Sequence, residues 1–359
     1  MDRETLGIVA FPFLFLLLAF RVPIGLAMLL VGSAGTAMIA GWLPIFSQVK
    51  TSAWHLFSNY SLSVIPLFLL MGNLASRAGM SEALFKFASA CLGHRKGGVA
   101  MAAVGACAGF GAICGSSLAT AATMGKVALP ELRRLGYSGS LSTGALAAGG
   151  TLGILIPPSV ILIIYSILTE QNIAKMFLAA LVPGILAALG YIVTIAIFVR
   201  LVPGSGRAQQ RITMAGRMSY FRNIWHVLLI FTFMLSGIYL GWFTPTEGAA
   251  VGAAGTGLVA MFQKNFDLSA LLDVIQSTAI TSGMIFLVLL GAEFFNSFIA
   301  LTQLPVLLAS FVTEGGFSPL VVVAAILVLY LLLGCLMDSM AMILLTIPVF
   351  FPLIMTLEF

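Results

Sequence analysis

The stretch GILIPPSV, residues 153–160, interrupts an apolar run that would otherwise form one continuous helix. Proline lacks a backbone donor and its ring clashes with the preceding helical turn, so Pro157 and Pro158 must break an α-helix at this point. The significance of the break depends on the solvent that surrounds it. The composition of the rest of the chain identifies that solvent as lipid.

Apolar residues dominate the chain to a degree that soluble domains do not reach. Of its 359 residues, 60% are hydrophobic and 8% are charged, whereas about 25% are charged in a soluble domain. Several apolar runs approach or reach the roughly 20 residues with which a helix crosses a bilayer, and strand-like alternation is absent. We therefore predict an all-α, polytopic membrane protein. The runs are 6–20, 22–39, 177–199, 224–241 and 320–336.

Basic loops predict the orientation of the chain in the membrane. The stretch from Arg200 to Arg222 carries five arginines and no acidic residue, so the positive-inside rule places it in the cytoplasm. The basic stretches 93–98 (GHRKGG) and 126–136 (KVALPELRRLG) are predicted to be cytoplasmic for the same reason. This distribution of charge indicates membrane topology and not nucleic-acid binding.

Between the last two loops lie two short apolar arms, 99–113 and 118–129, separated by CGSS. Because both outer ends are predicted to be cytoplasmic, we expect a re-entrant hairpin at about 98–130 with its tip near mid-membrane. Two short spanning helices joined by a Gly-Ser turn are the alternative. Non-helical backbone at membrane depth is tolerated only where protein buries it or a watery cavity adjoins it. The tip and the broken helix, about 141–169, are therefore predicted to share a polar site.

The second half of the chain repeats features of the first at an offset of about 222 residues. The matched pairs are Pro23 with Pro245, Ser117 with Ser339, and Pro130 with Pro352. They predict a first repeat over 1–200, a cytoplasmic connector over 201–223, and a second repeat over 224–359. At this offset the counterpart of GILIPPS would begin beyond Phe359, so we expect a fragment or a chain without the second broken helix.

The second repeat contains its own candidate hairpin, about 317–356, with a tip near 334–339. Its flanks contain acidic residues but no lysine or arginine, the reverse of the first hairpin, so the two repeats are predicted to be inverted in the membrane. Inverted repeats with discontinuous helices are the architecture of secondary transporters.

Few ionisable residues interrupt the apolar segments. An ionisable residue at membrane depth is a functional hypothesis because its burial is costly. Asp338, at the second tip, either binds a cation or caps the following helix. Glu247 is expected at a helix N-terminus, whereas both roles stay open for Glu293. Asn73 either hydrogen-bonds between helices or contributes a ligand.

Several function classes lack their signatures. The chain has no GxxxxGK[ST] motif, so we predict no nucleotide cofactor. It has no cluster of carboxylates and no pairing of a base with a nucleophile, so we predict no catalytic residues and no enzyme. A membrane enzyme for lipid-linked substrates is the disfavoured alternative. Carbonyls, hydroxyls and one carboxylate suit a hard cation such as Na⁺, and no other metal is predicted.

Five segments together resemble one family. They are IPLFLLMGNLASRAGMSEALF, CLGHRKGG, GAICGSSLATAATMG, GILIPPSV and FTPTEGAAVGA. Their combination resembles the large membrane subunit of tripartite ATP-independent periplasmic (TRAP) transporters, the DctM-like permeases, and the resemblance runs from the first helix to Phe359.

The resemblance implies a function and partners. It implies import of an organic anion, such as a dicarboxylate or sugar acid, driven by a Na⁺ gradient across the bacterial inner membrane. A periplasmic substrate-binding protein (DctP-like) would deliver the anion, and a small four-helix membrane subunit (DctQ-like) would accompany the chain. Hairpins and broken helices would move as an elevator against a scaffold. A self-sufficient divalent-anion/Na⁺ symporter without a binding protein is the alternative.

The resemblance also implies site residues. For Na⁺ these are Ser116, Ser117, Gly153 and Pro157 in one region and Gly334, Asp338 and Ser339 in another. For the anion they are Ser159, Pro158 and Asn73. An anion is favoured where helix N-termini converge, because their dipoles and free N–H groups attract negative charge. For Ser159, a simple N-cap of the resumed helix is the alternative.

Overall fold

The computed structural model describes residues 2–263, 266–335 and 337–356. Within these ranges the regular structure consists of sixteen α-helices and one 3-10 turn, Tyr60–Ser63, without a strand. The helices are α1 (Arg3–Ala19), α2 (Ile24–Ala40), α3 (Leu43–Ser58), α4 (Val64–Arg77), α5 (Met80–Leu92), α6 (Gly98–Cys114), α7 (Ser117–Arg134), α8 (Gly139–Leu155), α9 (Val160–Leu168), α10 (Ile173–Leu201), α11 (Met214–Tyr239), α12 (Pro245–Met261), α13 (Leu268–Thr302), α14 (Leu304–Glu314), α15 (Pro319–Gly334) and α16 (Ser339–Thr356).

Three of these helices, α10, α11 and α13, are long and apolar enough to cross a bilayer. The count rises to five if two bent helix pairs are each taken as one span. One of these pairs is α8 with α9, the helix that the double proline interrupts. The predicted class, an all-α polytopic membrane protein, is confirmed.

The chain divides into two compact units. One unit comprises 1–62 together with 281–359, and the other comprises 63–280. The first unit therefore combines helices from both ends of the sequence, while the second is continuous and contains the double proline.

Close backbone contact between α2 and the second part of α13 holds the first unit together. A Cβ atom on Gly25 would lie 2.8 Å from the carbonyl oxygen of Leu287, and one on Gly32 would lie 2.6 Å from the carbonyl carbon of Phe294. The two glycines are seven residues apart and so lie on one face of α2. Small residues at such positions let helix backbones approach closely, which is a main source of packing energy in lipid.

In the second unit α6 is the central helix. All but three of its seventeen residues are buried, and it packs against α4, α5, α7, α8 and α10. Alanine and glycine fill most of the helix, which allows neighbours to approach it closely. The backbone of Gly111, for example, lies directly against Gly153 of α8. The end of α6 consequently lies inside protein and not in lipid.

The connector between α10 and α11 is fastened to both outer ends of the helix pair α6–α7. Just after α7 in the sequence, the backbone N–H of Ser138 donates to the carbonyl of Ser205 at 2.9 Å. Just before α6 in the sequence, the carbonyl of Gly93 accepts from the backbone N–H of Gln209 at 2.8 Å. From Met214 onwards the predicted connector, 201–223, is part of α11.

Tyr137 joins these two attachments. Its hydroxyl donates to the carbonyl of Arg207 at 2.8 Å and accepts from the N–H of Val99, the second residue of α6, at 3.2 Å. Burial raises the pKa of the Tyr137 phenol. The hydrogen bond from Val99 lowers this pKa by a smaller amount. The hydroxyl therefore stays protonated and able to donate at neutral pH.

Tyr137→Phe tests this attachment. Removal of the hydroxyl leaves the buried N–H of Val99 without an acceptor, so we expect the free energy of unfolding to fall by about 1–3 kcal/mol. Denaturant titration of the purified protein in detergent measures the change. The control is Tyr191→Phe, whose hydroxyl meets one partially exposed Thr151 side chain; a loss of equal size in both variants would contradict the special role of Tyr137.

Candidate functional site

The first hairpin turns at a glycine in the left-handed region. Helix α6 ends at Cys114, and Gly115 follows with φ +65°, its N–H donating to the carbonyl of Gly111 at 2.7 Å. Residues with a side chain rarely adopt this conformation, so glycine is required here. Ser116 has an extended backbone conformation. Its Oγ accepts from the N–H of Ala119 at 3.4 Å and so caps α7.

The double proline forms the second irregular segment. Helix α8 ends at Leu155 and α9 begins at Val160, and the two are bent by 41°. Between them the Pro157–Pro158 peptide bond is cis. Ser159 is fully buried, and its Oγ accepts from the N–H of Leu162 at 3.5 Å. This hydrogen bond is the one expected if Ser159 acts as the N-cap of α9.

The two irregular segments contact each other directly. The N–H of Val160, the first residue of α9, donates to the carbonyl of Gly115 at 3.4 Å. A Cβ atom on Gly153 would lie 2.8 Å from the carbonyl oxygen of Ser116, and one on Gly115 would lie 3.3 Å from that of Pro158. The fold thus brings together Ser116 and Gly153, which are predicted for Na⁺, and Pro158, which is predicted for the anion.

A residue that the sequence analysis did not single out, Thr120, adds a hydroxyl at this contact. Its side chain is completely buried, its Oγ1 has no hydrogen-bond partner among the described residues, and a Cβ atom on Gly153 would lie 2.7 Å from that oxygen. By contrast, Thr194 and Thr256 donate to the carbonyl four residues earlier in their own helices. The spacing SSxxT places Ser117 and Thr120 on one helix face. This spacing could have identified Thr120 from the sequence as a further candidate for the site.

Helix ends supply the electrostatics of the site. The last carbonyls of α6 and α8 lack intrahelical donors and carry partial negative charge, whereas the first N–H groups of α7 and α9 carry partial positive charge. No Asp, Glu, Lys or Arg occurs in 98–125 or 139–169. The contact therefore offers oxygen ligands to a cation and N–H donors to an anion without any charged side chain.

A metal site of another kind is not found in the parts of the chain that the structure describes. No three His, Cys, Asp or Glu side chains lie close enough together there to hold an ion. Neutral oxygens with few or no charged ligands suit a monovalent cation better than a tightly bound divalent one, which prefers carboxylates.

The second hairpin lies in the other unit, where α15 ends at Gly334 and α16 begins at Ser339. Its arms are joined by the hydroxyls of Tyr330 and Thr346, 2.6 Å apart. Asp338 is exposed, and its carboxylate accepts from the N–H of Met340 at 3.2 Å. This hydrogen bond is the one expected if Asp338 caps α16. The role of Asp338 as a cation ligand stays a prediction.

Asn73 and Glu247 both have hydrogen-bond partners within the protein. The amide of Asn73 donates to the hydroxyl of Thr278 at 2.9 Å and so links α4 to α13. Glu247 forms a capping box with Thr244, as expected for a helix N-terminus. Gly72, beside Asn73, packs on Cys114, so Asn73 is close to the first tip along α4 even though its amide N–H is already engaged.

These features define a class: a multi-pass helical membrane protein whose polar site is built from broken helices and not from catalytic side chains. The family model of the "Tripartite ATP-independent periplasmic transporter, DctM component" matches residues 11–359. The chain belongs to this family, the large permease subunits of TRAP transporters. Because these permeases are transporters, the prediction that the chain is not an enzyme is confirmed.

Relatives with named substrates agree with this assignment. The C4-dicarboxylate TRAP transporter large permease protein DctM of Pseudomonas aeruginosa is 37% identical over 332 residues, 91% of this chain and 76% of the relative. The sialic acid permease SiaM of Vibrio cholerae is 30% identical over 302 residues, 82% and 69%. The isethionate permease DctMQ of Oleidesulfovibrio alaskensis is 28% identical over 346 residues, 95% of this chain but 53% of the relative.

Gly153→Ala tests the contact between the tip and the break. The new methyl group would meet the carbonyl of Ser116 and the hydroxyl of Thr120 at under 3 Å, so we expect the free energy of unfolding to fall by about 1–3 kcal/mol. Thermal or denaturant unfolding in detergent measures it. Gly144→Ala in the same helix is the matched control, because beyond the adjacent backbone of that helix nothing lies within 4 Å of its Cβ position. Equal stability of the two variants would contradict the close contact.

Proposed function

We propose that the chain is the large subunit of a Na⁺-coupled importer of organic anions in the bacterial inner membrane, supplied by a periplasmic binding protein and accompanied by a small membrane subunit. The hydrogen bond from Val160 to the carbonyl of Gly115 carries the proposal, because it joins two helix breaks into one polar site. Family membership supports the same function. The relatives described above are named for C4-dicarboxylates, sialic acid and isethionate, all of which are anions.

The oxygens at the first tip fit Na⁺. Ser116, Ser117 and Thr120 offer hydroxyls, and the backbone from Gly153 to Pro157 offers the carbonyls at the end of α8. A hard cation prefers such oxygen ligands, and the negative ends of α6 and α8 favour positive charge. The unpartnered hydroxyl of Thr120 supports this assignment most directly, since a buried polar group without a partner is costly.

The N-termini of α7 and α9 fit the anion. Their free N–H groups and positive dipole ends favour a carboxylate or sulfonate. Pro158 and Ser159 directly precede the second of these helices, with Ser159 as its N-cap, and Asn73 lies on the adjacent α4. A cation at the carbonyl ends of the same broken helices would strengthen the attraction for the anion, and this coupling of charges would make transport depend on Na⁺.

A second Na⁺ region is proposed at the other tip, with Gly334, Asp338 and Ser339. There the carboxylate of Asp338 would supply the charge and the hydroxyl of Ser339 a further oxygen. In this proposal the hairpins and broken helices move together as an elevator, the basic stretch from Arg200 to Arg222 lies in the cytoplasm, and the inward Na⁺ gradient sets the direction of import.

Transport assays test this function. The chain is reconstituted into proteoliposomes with its small subunit, and uptake of labelled C4-dicarboxylates, sialic acid and isethionate is measured with an inward Na⁺ or K⁺ gradient, with and without the cognate binding protein. We expect uptake only with Na⁺ and the binding protein together. Uptake that ignores the binding protein would support the self-sufficient symporter, and uptake that ignores Na⁺ would contradict the proposal.

Thr120→Val tests the first cation region. Valine has nearly the same shape but no hydroxyl, so we expect the Na⁺ concentration for half-maximal uptake to rise about tenfold, the loss of roughly one ligand. Thr120→Ser keeps the hydroxyl and should keep the original Na⁺ requirement for uptake. Thr194→Val is the control, because the hydroxyl of Thr194 donates to the carbonyl of Gly190 in its own helix. Since the hydroxyl has no protein partner, Thr120→Val should not lower stability in Na⁺-free buffer. An unchanged Na⁺ dependence would exclude Thr120 as a ligand.

Asp338→Asn separates the two roles of that residue. Asparagine caps a helix about as well as aspartate does but carries no charge. If Asp338 binds the cation, as we propose, both Asp338→Asn and Asp338→Ala raise the Na⁺ requirement for uptake. If only Asp338→Ala impairs uptake, the residue is a cap. Asp267→Asn is the control, because the carboxylate of Asp267 also accepts from a backbone N–H, that of Ala270, at the start of α13.

A further inference from the structure

A narrow groove lies between α8 and α10 in the unit 63–280. It holds about 230 Å³ and is lined by small residues of α8, larger side chains of α10 and Val104 of α6. Along α8 the lining extends from Ser140 to Ala148, about 12 Å at the rise of a helix. At its centre is Gly144, whose Cβ position faces open space beyond the adjacent backbone of its helix. The groove shares no lining residue with the proposed transport site.

One end of the groove is bridged by two hydroxyls. Tyr191 of α10 lines the groove, and its hydroxyl lies 3.2 Å from that of Thr151 on α8. A partner helix packed along α8 and α10 would have to cross this bridge. A helix about 10 Å wide would also need roughly four times the volume of the groove over the same length. A single hydrocarbon chain therefore fits the groove better than a helix does.

The opposite end of the groove meets two basic segments. Ile195 lines the groove, and its Cγ2 lies 3.3 Å from the Cβ position of Gly97. Gly97 in turn packs on Gly206 of the connector, whose Cβ position lies 3.1 Å from the Cα of Gly97. Lys96 precedes the first of these glycines and Arg207 follows the second. Two cations from segments that are distant in the sequence thus come to this end of the groove.

Few acidic side chains are available to balance these cations. Lys96 and Arg207 are exposed, and neither has a carboxylate within 4.0 Å in the part of the chain that the structure describes. From 83 to 246 the sequence contains two acidic residues, Glu131 and Glu170, and Glu131 is paired with an arginine three residues later. An apolar groove with positive charge at one end fits an amphiphile with an anionic head.

The membrane supplies an amphiphile of this kind. The positive-inside rule predicts that the basic end of the groove is cytoplasmic, and anionic phospholipids are concentrated in the cytoplasmic leaflet, where they attract basic side chains. Guanidinium binds phosphate oxygens through two parallel N–H donors, and lysine adds a point charge. An acyl chain of the same lipid would continue into the apolar part of the groove.

We propose that the groove binds one anionic phospholipid of the cytoplasmic leaflet, with an acyl chain between α8 and α10 and its phosphate at Lys96 and Arg207. The lipid would hold the loop before α6 and the connector against these helices, and so stabilise the base of the first hairpin. The site does not depend on the transport function proposed above.

Native mass spectrometry of the purified, delipidated full chain tests the site, because it counts bound lipids while phosphatidylglycerol or phosphatidylcholine is titrated. We expect one phosphatidylglycerol to bind about tenfold more tightly than phosphatidylcholine, the effect of one charge-assisted bond. In Gly144→Leu the new side chain takes the place of the acyl chain, so the affinity for both lipids should fall by about tenfold or more. In Lys96→Gln and Arg207→Gln only the affinity for phosphatidylglycerol should fall, again by about tenfold.

Matched controls make the test decisive. Gly190→Leu, at an open position of α10 outside the groove lining, and Arg222→Gln, at an exposed position of α11, should change both affinities less than about twofold. Thermal unfolding without lipid checks that Gly144→Leu folds, as expected since leucine favours a helix more than glycine does. Equal affinity for the two lipids, or equal losses in Gly144→Leu and Gly190→Leu, would overturn the proposal. If Gly144→Leu instead blocks assembly with the small subunit and leaves lipid binding unchanged, the groove is a helix interface and the proposal is wrong.

Discussion

Backbone polar groups inside a membrane must be satisfied within the protein, and the site in this permease follows from that constraint. Breaking two helices frees N–H and C=O groups that lipid cannot accept. The fold satisfies some of them by placing one break against the other, with the N–H of Val160 donating to the carbonyl of Gly115. Under the proposed function, the groups that remain free at this contact bind the transported ion. The irregular backbone thus has a structural cost, and in the proposed function it is also the part that binds the ion.

This arrangement explains why the site can lack charged side chains. The stretches 98–125 and 139–169 contain none, so the field comes from the ends of α6, α7, α8 and α9. Such a field attracts a cation to one side and an anion to the other, and the site is nearly neutral when empty. If the first hairpin moves as an elevator, as we propose, a region that is neutral when empty moves through an apolar environment at lower cost than a charged one.

Local sequence signals predicted the helix class, the interruption at Pro157–Pro158 and the turn at Gly115, because proline and glycine act through the backbone of their own segment. Contacts between distant segments could not be predicted in this way. The bridge from Tyr137 to Arg207 and Val99 depends on how three segments meet. Thr120 was missed because threonine in an apolar helix usually donates to its own backbone, and only the fold shows that this one does not. The groove between α8 and α10 likewise arises from tertiary packing.

The most direct test of the central claim is equilibrium binding of radioactive sodium to the purified protein, measured without a gradient, a binding protein or substrate. We expect saturable binding that unlabelled Na⁺ displaces and K⁺ at the same ionic strength does not, with a lower affinity in Thr120→Val. Addition of an organic anion should increase the affinity for Na⁺, because thermodynamic linkage between the two ligands is reciprocal. The absence of saturable binding, or equal displacement by K⁺, would contradict a sodium site at the contact between the hairpin tip and the broken helix.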